Sequence, residues 1–105
     1  MNKEKIEEIA FTIILHSGDA RTQVHEAFKL MRKSEYTDAQ DKLELANETL
    51  VKAHSSQTEL LQTYANGEEV KMEIIMVHAQ DHLMTTMTLR EVALEMLELY
   101  KRIEN

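Results

Sequence analysis

His78, Asp81 and His82 are the residues of this chain whose types and spacing could do chemistry. On a helix, steps of three and four residues put all three side chains on adjoining parts of one face. Residues 74 to 89, which carry them, contain no Lys, Arg or Glu. An acid and two imidazoles in surroundings poor in other charge is how a helix presents a site. Two imidazoles one turn apart can chelate a transition metal or pack as a structural pair. They can also offer a neutral ring nitrogen that attacks phosphorus and passes the group on. The neighbours favour this third reading, because Gln80, Gln57, Thr58, Thr85 and Thr86 can donate to phosphoryl oxygens. His54, three residues before Gln57, is expected to border the same groove. His16 and His25 have no such company and read as surface or packing residues.

Asp81 lies in an otherwise uncharged line, Ile74, Val77, Asp81, Met84, Thr88. Burying an unpaired carboxylate costs several kcal/mol, and protonating one at pH 7 costs about 4 kcal/mol instead. The plain remedy is a salt bridge, yet from Ile74 onward no base follows until Arg90. The other remedy is symmetric: if several copies meet on an axis, their carboxylates gather and bind a hard cation through oxygen.

The elements that must hold these residues follow from periodicity. One stripe runs Ile6, Ala10, Ile13, Ser17, Ala20, Val24, Ala27, Met31, and a second Tyr36, Ala39, Leu43, Ala46, Leu50, Ala53, Gln57, Leu60, Tyr64. A third, Ile75, His78, His82, Thr85, Leu89, Val92, Met96, Leu99, Ile103, is expected to be the core face of the last helix. The average step of 3.5 means coiled-coil-like packing of long helices. Ser34 is a plausible N-cap after the basic pair Arg32-Lys33, and Asn66-Gly67 is a helix stop. Helices over 3–32, 35–66 and 68–104, joined by short loops, make an all-α antiparallel three-helix bundle in a single domain, 1–105. Beside the expected core face of the last helix lie the Asp81 line and a further line, Met76, Leu83, Met87. A helix apolar on most sides is buried on most sides, so the chain is expected to oligomerise through this helix. The methionines, seven in all, read as core and interface filler.

Composition closes off other classes. Twelve basic residues scattered among 19 acidic ones, a formal charge of −7, disfavour nucleic acid, whose phosphates demand clustered Lys and Arg. The longest run free of charged residues, Ile9 to Gly18, is too short to cross a bilayer, and Glu7 and Glu8 do not suit a secretory signal. A cytoplasmic protein is expected. Without cysteine there is no disulfide, thiolate metal site or thiol nucleophile, so any thiol chemistry belongs to a partner.

Three blocks together resemble one family: Gly18-Asp19-Ala20-Arg21, Ala53-His54-Ser55-Ser56-Gln57-Thr58 and His78-Ala79-Gln80-Asp81-His82-Leu83-Met84-Thr85. The chain is similar over essentially its full length to the IIA component of the lactose/cellobiose (diacetylchitobiose) branch of the sugar phosphotransferase system. That resemblance implies a homotrimer, phosphorylation of His78, and a divalent cation, magnesium, held by three copies of Asp81. It implies donation by the histidine-containing phosphocarrier protein and onward transfer to a cysteine of the IIB component during disaccharide uptake. The order Val77-His78-Ala79 leans toward cellobiose or a related β-glucoside over lactose. Two rival readings are a histidine phosphotransfer domain of two-component signalling and a non-enzymatic metal-binding scaffold. The first usually sets Lys and Gly just after its histidine, and positions 79 to 84 hold neither.

Overall fold

Every expected helix is present in the computed structural model, which describes residues 1–104: α1 (Lys3–Arg32), α2 (Tyr36–Ala65) and α3 (Ile74–Glu104). The bundle is a rod of 55 × 20 × 18 Å, as helices of about 30 residues at 1.5 Å per residue require. Asn2 caps α1 by accepting the Lys5 N–H at 2.8 Å. All eight residues of the first stripe are buried, and so are six of the nine in the second, where Tyr36 and Gln57 are half-buried and Tyr64 is exposed. Alanines recur along these faces at Ala10, Ala20, Ala27, Ala39, Ala46, Ala53, Ala79 and Ala93, and small side chains let helix backbones approach closely.

Two boundaries differ from expectation. Ser34 is not the N-cap of α2. It sits in the left-handed region at φ 62°, where its N–H reaches the Met31 carbonyl and that of Glu35 reaches Leu30, closing α1 in a Schellman turn. Its hydroxyl donates across the bundle to Glu104 at 2.6 Å. Asn66 and Gly67, at φ 85°, end α2 as expected, but α3 begins at Ile74 and not at residue 68. Gly18 stands level with His82 and Arg32 with Met96, so a helix begun at residue 68 would reach only to the level of the start of α1, and bundle length does not exclude it. The segment instead crosses the end of α1, where the Met1 amino group donates to Glu68 at 2.6 Å and to the Glu69 carbonyl, and Val70 packs against the core.

The core face of α3 is also not the expected one. Met76, Ala79, Leu83, Thr86, Ala93 and Leu97 are buried. The stripe from Ile75 to Ile103 lies round toward α1 and solvent: His78, Thr85, Val92, Met96, Leu99 and Ile103 are exposed, and Ile75, His82 and Leu89 half-buried. The line read beside it, Met76, Leu83, Met87, belongs to the core. α3 therefore keeps an unpartnered apolar side, with Ile74 88%, Val77 54%, Met84 48% and Val92 48% exposed.

Candidate functional site

Two candidate clusters flank α3, each positioned by a different neighbouring helix, and a lone carboxylate stands between them. On the flank toward α1 are the imidazoles. His78 is exposed and His82 half-buried; their rings stack with centroids 6.0 Å apart and planes within 15°. Nε2 of His82 lies 3.8 Å from where a Cβ on Gly18 would stand, ordinary van der Waals contact, so the second ring packs against α1 at this position. Partial burial lowers the pKa of His82 from its ordinary value, and the Arg21 guanidinium on α1 and the His78 imidazole add to this, while Asp81 opposes them. His82 is thereby held as a neutral ring at pH 7, able to accept or donate according to its tautomer.

On the opposite flank, toward α2, Gln57 donates to the side-chain oxygen of Gln80, and its amide also approaches Met84 Sδ at 3.8 Å. Gln80 in turn points its amide at Met76 Sδ, 3.6 Å away. Between the flanks, in the middle of the exposed apolar side, stands Asp81.

Several expectations are corrected by this arrangement. Gln57 and Gln80 are brought together, but on the far side of α3 from the imidazoles of the same copy. His54 is exposed and lines a groove of about 250 Å³ with Leu50, Val51, Met87, Arg90 and Glu91, one turn along α2 from Gln57. The buried Thr86 hydroxyl donates to the His82 carbonyl at 2.7 Å, and Thr85 donates to that of Asp81 at 2.7 Å; both hydroxyl protons are committed to the helix backbone. Arg21 received no role from the sequence. Its place beside His82 follows only once α1 and α3 are known to run parallel, with α2 returning between them.

A helical bundle that exposes one imidazole and backs it with a second, half-buried against the neighbouring helix, has the build of a histidine phosphocarrier. The family described as PTS system, lactose/cellobiose-specific IIA subunit matches residues 8–101. The lichenan-specific phosphotransferase enzyme IIA component of Bacillus subtilis is 47% identical over 95% of this chain and 91% of its own. A crystal structure described as PtcA from S. mutans superposes with a TM-score of 0.95 at 66% identity, covering 96% of this chain and 99% of that one. A solution structure of the chitobiose IIA–HPr complex of Escherichia coli gives 0.83 at 32% identity, over 95% and 97%. The chain belongs to the lactose/cellobiose IIA family of the sugar phosphotransferase system. As such it is a phosphotransferase component that works through phosphohistidine.

Proposed function

We propose that His78 is the residue that carries the phosphoryl group. The observation behind this reading is the exposed His78 imidazole stacked on a half-buried His82: one ring is open to a protein donor and the other is placed to orient it. A neutral nitrogen of His78 attacks phosphorus, a P–N bond forms, and the bond to the donor breaks. In the onward step a thiolate attacks the same phosphorus, an S–P bond forms, the P–N bond breaks and the imidazole leaves neutral. The donor is the histidine-containing phosphocarrier protein, a reading supported by the HPr complex of the chitobiose relative. The acceptor is a cysteine of the IIB component, a reading that rests on membership of the lactose/cellobiose IIA family.

The assembly belongs to the same proposal. The apolar side of α3 would be covered by two further copies in a homotrimer. In any parallel ring the α2 flank of one copy faces the α1 flank of the next, which sets Gln80 and Gln57 of one subunit toward the imidazoles of its neighbour. Asp81 would then approach the axis three times. Among the described residues it has no ion-pair partner, and no one-chain cluster of three His, Asp or Glu could hold a metal. A lone exposed carboxylate amid apolar residues fits a hard divalent cation such as magnesium shared between copies. When bound, that ion would neutralise charge at the axis.

No described helix is long and apolar enough to cross a membrane, and we place the protein in the cytoplasm on the strength of its phosphocarrier partners. The lichenan-specific relative supports the lean toward a β-glucoside over lactose. The test is a two-step transfer: incubation with phosphoenolpyruvate, enzyme I and phosphocarrier should load one phosphoryl group per chain, and addition of a β-glucoside-type IIB should discharge it. Failure of His78→Ala to lose loading would remove the assignment.

A further inference from the structure

The two flanks of the exposed α3 side carry opposite charge at the same height along the bundle. On the α2 side, Glu91 lines the groove with Val51 and Met87, and Glu95 follows one turn on. On the α1 side, Met96 lines a different groove with His25, Lys29 and Arg32. All four charged residues, Lys29, Arg32, Glu91 and Glu95, are exposed and make no ion pair among the described residues. Three cationic or potentially cationic side chains on one ridge are notable in a chain of net charge −7. The sequence offset that sets Gly18 beside His82 also sets Arg32 beside Met96. The basic ridge of α1 and the acidic ridge of α3 therefore span one level.

We infer that these ridges meet between copies of this chain, Lys29 and Arg32 of one against Glu91 and Glu95 of the next, and that this seam selects the parallel arrangement. The inference rests on assembly through α3, and it adds what sets the orientation. Around any axis running along α3, each copy turns its α2 flank to the α1 flank of the following copy, a heterologous contact that closes into a ring. Acid then meets base at equal height on every boundary. An antiparallel pair, with its axis across the helices, instead sets like flank against like flank. Glu91 and Glu95 would then lie on the same side as their own copies, which opposes that pairing through like-charge repulsion. Between the ridges, exposed Val92 and Leu99 supply apolar contact, so the charges act as a selector of register and direction. A parallel ring also brings every Asp81 to the same level.

The experiment is sedimentation velocity over nanomolar to micromolar concentrations. It compares wild type, Lys29→Glu/Arg32→Glu, Glu91→Lys/Glu95→Lys, and the fourfold swap, each checked for helicity by circular dichroism. Each double variant should raise the concentration at half-dissociation about tenfold or more, and the fourfold swap should restore it to within about threefold of wild type. Molar salt should weaken wild type in the same direction. A wild-type trimer that the double variants leave unchanged, or one that the fourfold swap fails to restore, would overturn the seam while sparing the trimer. A wild type that stays monomeric throughout would overturn the trimer itself.

Discussion

The His78 ring stacks on that of His82 at 6.0 Å, and it is the second ring, not the first, that packs back toward α1. This division assigns different costs to the two histidines. His78→Ala should abolish phosphoryl loading. His82→Ala should retain it but slow transfer on the order of 10- to 100-fold, the usual effect of misplacing a reacting group by a fraction of an ångström to an ångström. Rapid-quench measurement of transfer from the phosphocarrier distinguishes the two.

Gln57 and Gln80 satisfy each other across the α2–α3 interface. Removing one leaves the other half-buried with weaker thioether contacts. Gln57→Ala should cost about 1 kcal/mol in stability, and the double Gln57→Ala/Gln80→Ala should cost less than the two single changes added together. Urea unfolding at a fixed protein concentration measures the shortfall.

Glu104 ties the end of α3 to the α1–α2 turn, and the hydrogen bond from Ser34 holds its pKa below the usual carboxylate value, with the Tyr36 hydroxyl acting in the same direction. A lowered folded-state pKa means the unfolded chain binds the proton more readily. The contribution is therefore present above about pH 4.5, the unfolded value, and lost as pH falls through the lower folded value. Glu104→Gln should flatten that acid limb by lowering thermal stability slightly in the neutral range while leaving the acid end nearly unchanged. Scans from pH 3 to 7 with both proteins show whether it does.

Asp81 should behave as a liability that a cation offsets. Three carboxylates roughly 5 Å apart repel by about 3 kcal/mol per pair at an effective dielectric near 20. Magnesium should raise the melting temperature of wild type and EDTA lower it, while Asp81→Leu should melt at or above the magnesium-loaded wild type and ignore both, since packed apolar residues often outperform buried charge. A wild type indifferent to EDTA and magnesium, or a Leu variant that falls to monomers, would remove Asp81 from the axis. A surface ion pair in its place would give changes below about 1 kcal/mol.

The fold was legible wherever a helix buries one face. The α1 stripe from Ile6 to Met31 is buried residue for residue, because its unbroken three-four step marks one continuous face, even though Phe11 and Leu15 lie exposed off it. In α3 the same reasoning slipped sideways. The face that packs inward is made of small and polar-looking residues, Ala79, Thr86 and Ala93, alongside Met76 and Leu83. The outward side holds Ile74, Val77, Val92 and Leu99. A helix with two apolar sides has no unique periodicity, and hydropathy ranked the wrong one first. The start of α3 was missed because Glu68 and Glu69 suit a helix N-terminus locally, while the contacts this segment makes instead, with the Met1 amino group and through Val70 with the core, are remote in sequence. His78, Asp81 and His82 were visible as a group because their spacing is local. The placing of Gln80 beside Gln57, and the approach of Arg21 to His82, depend on which flank of α3 each neighbouring helix takes, and no spacing within one helix encodes that.

The most direct measurement maps the phosphorylated residue. After loading with phosphoenolpyruvate, enzyme I and phosphocarrier, mass spectrometry of peptides prepared at alkaline pH should find one phosphoryl group per chain, on His78, stable in base and lost in acid. Label on His54, His82 or any other residue, or full loading of His78→Ala, would contradict the assignment.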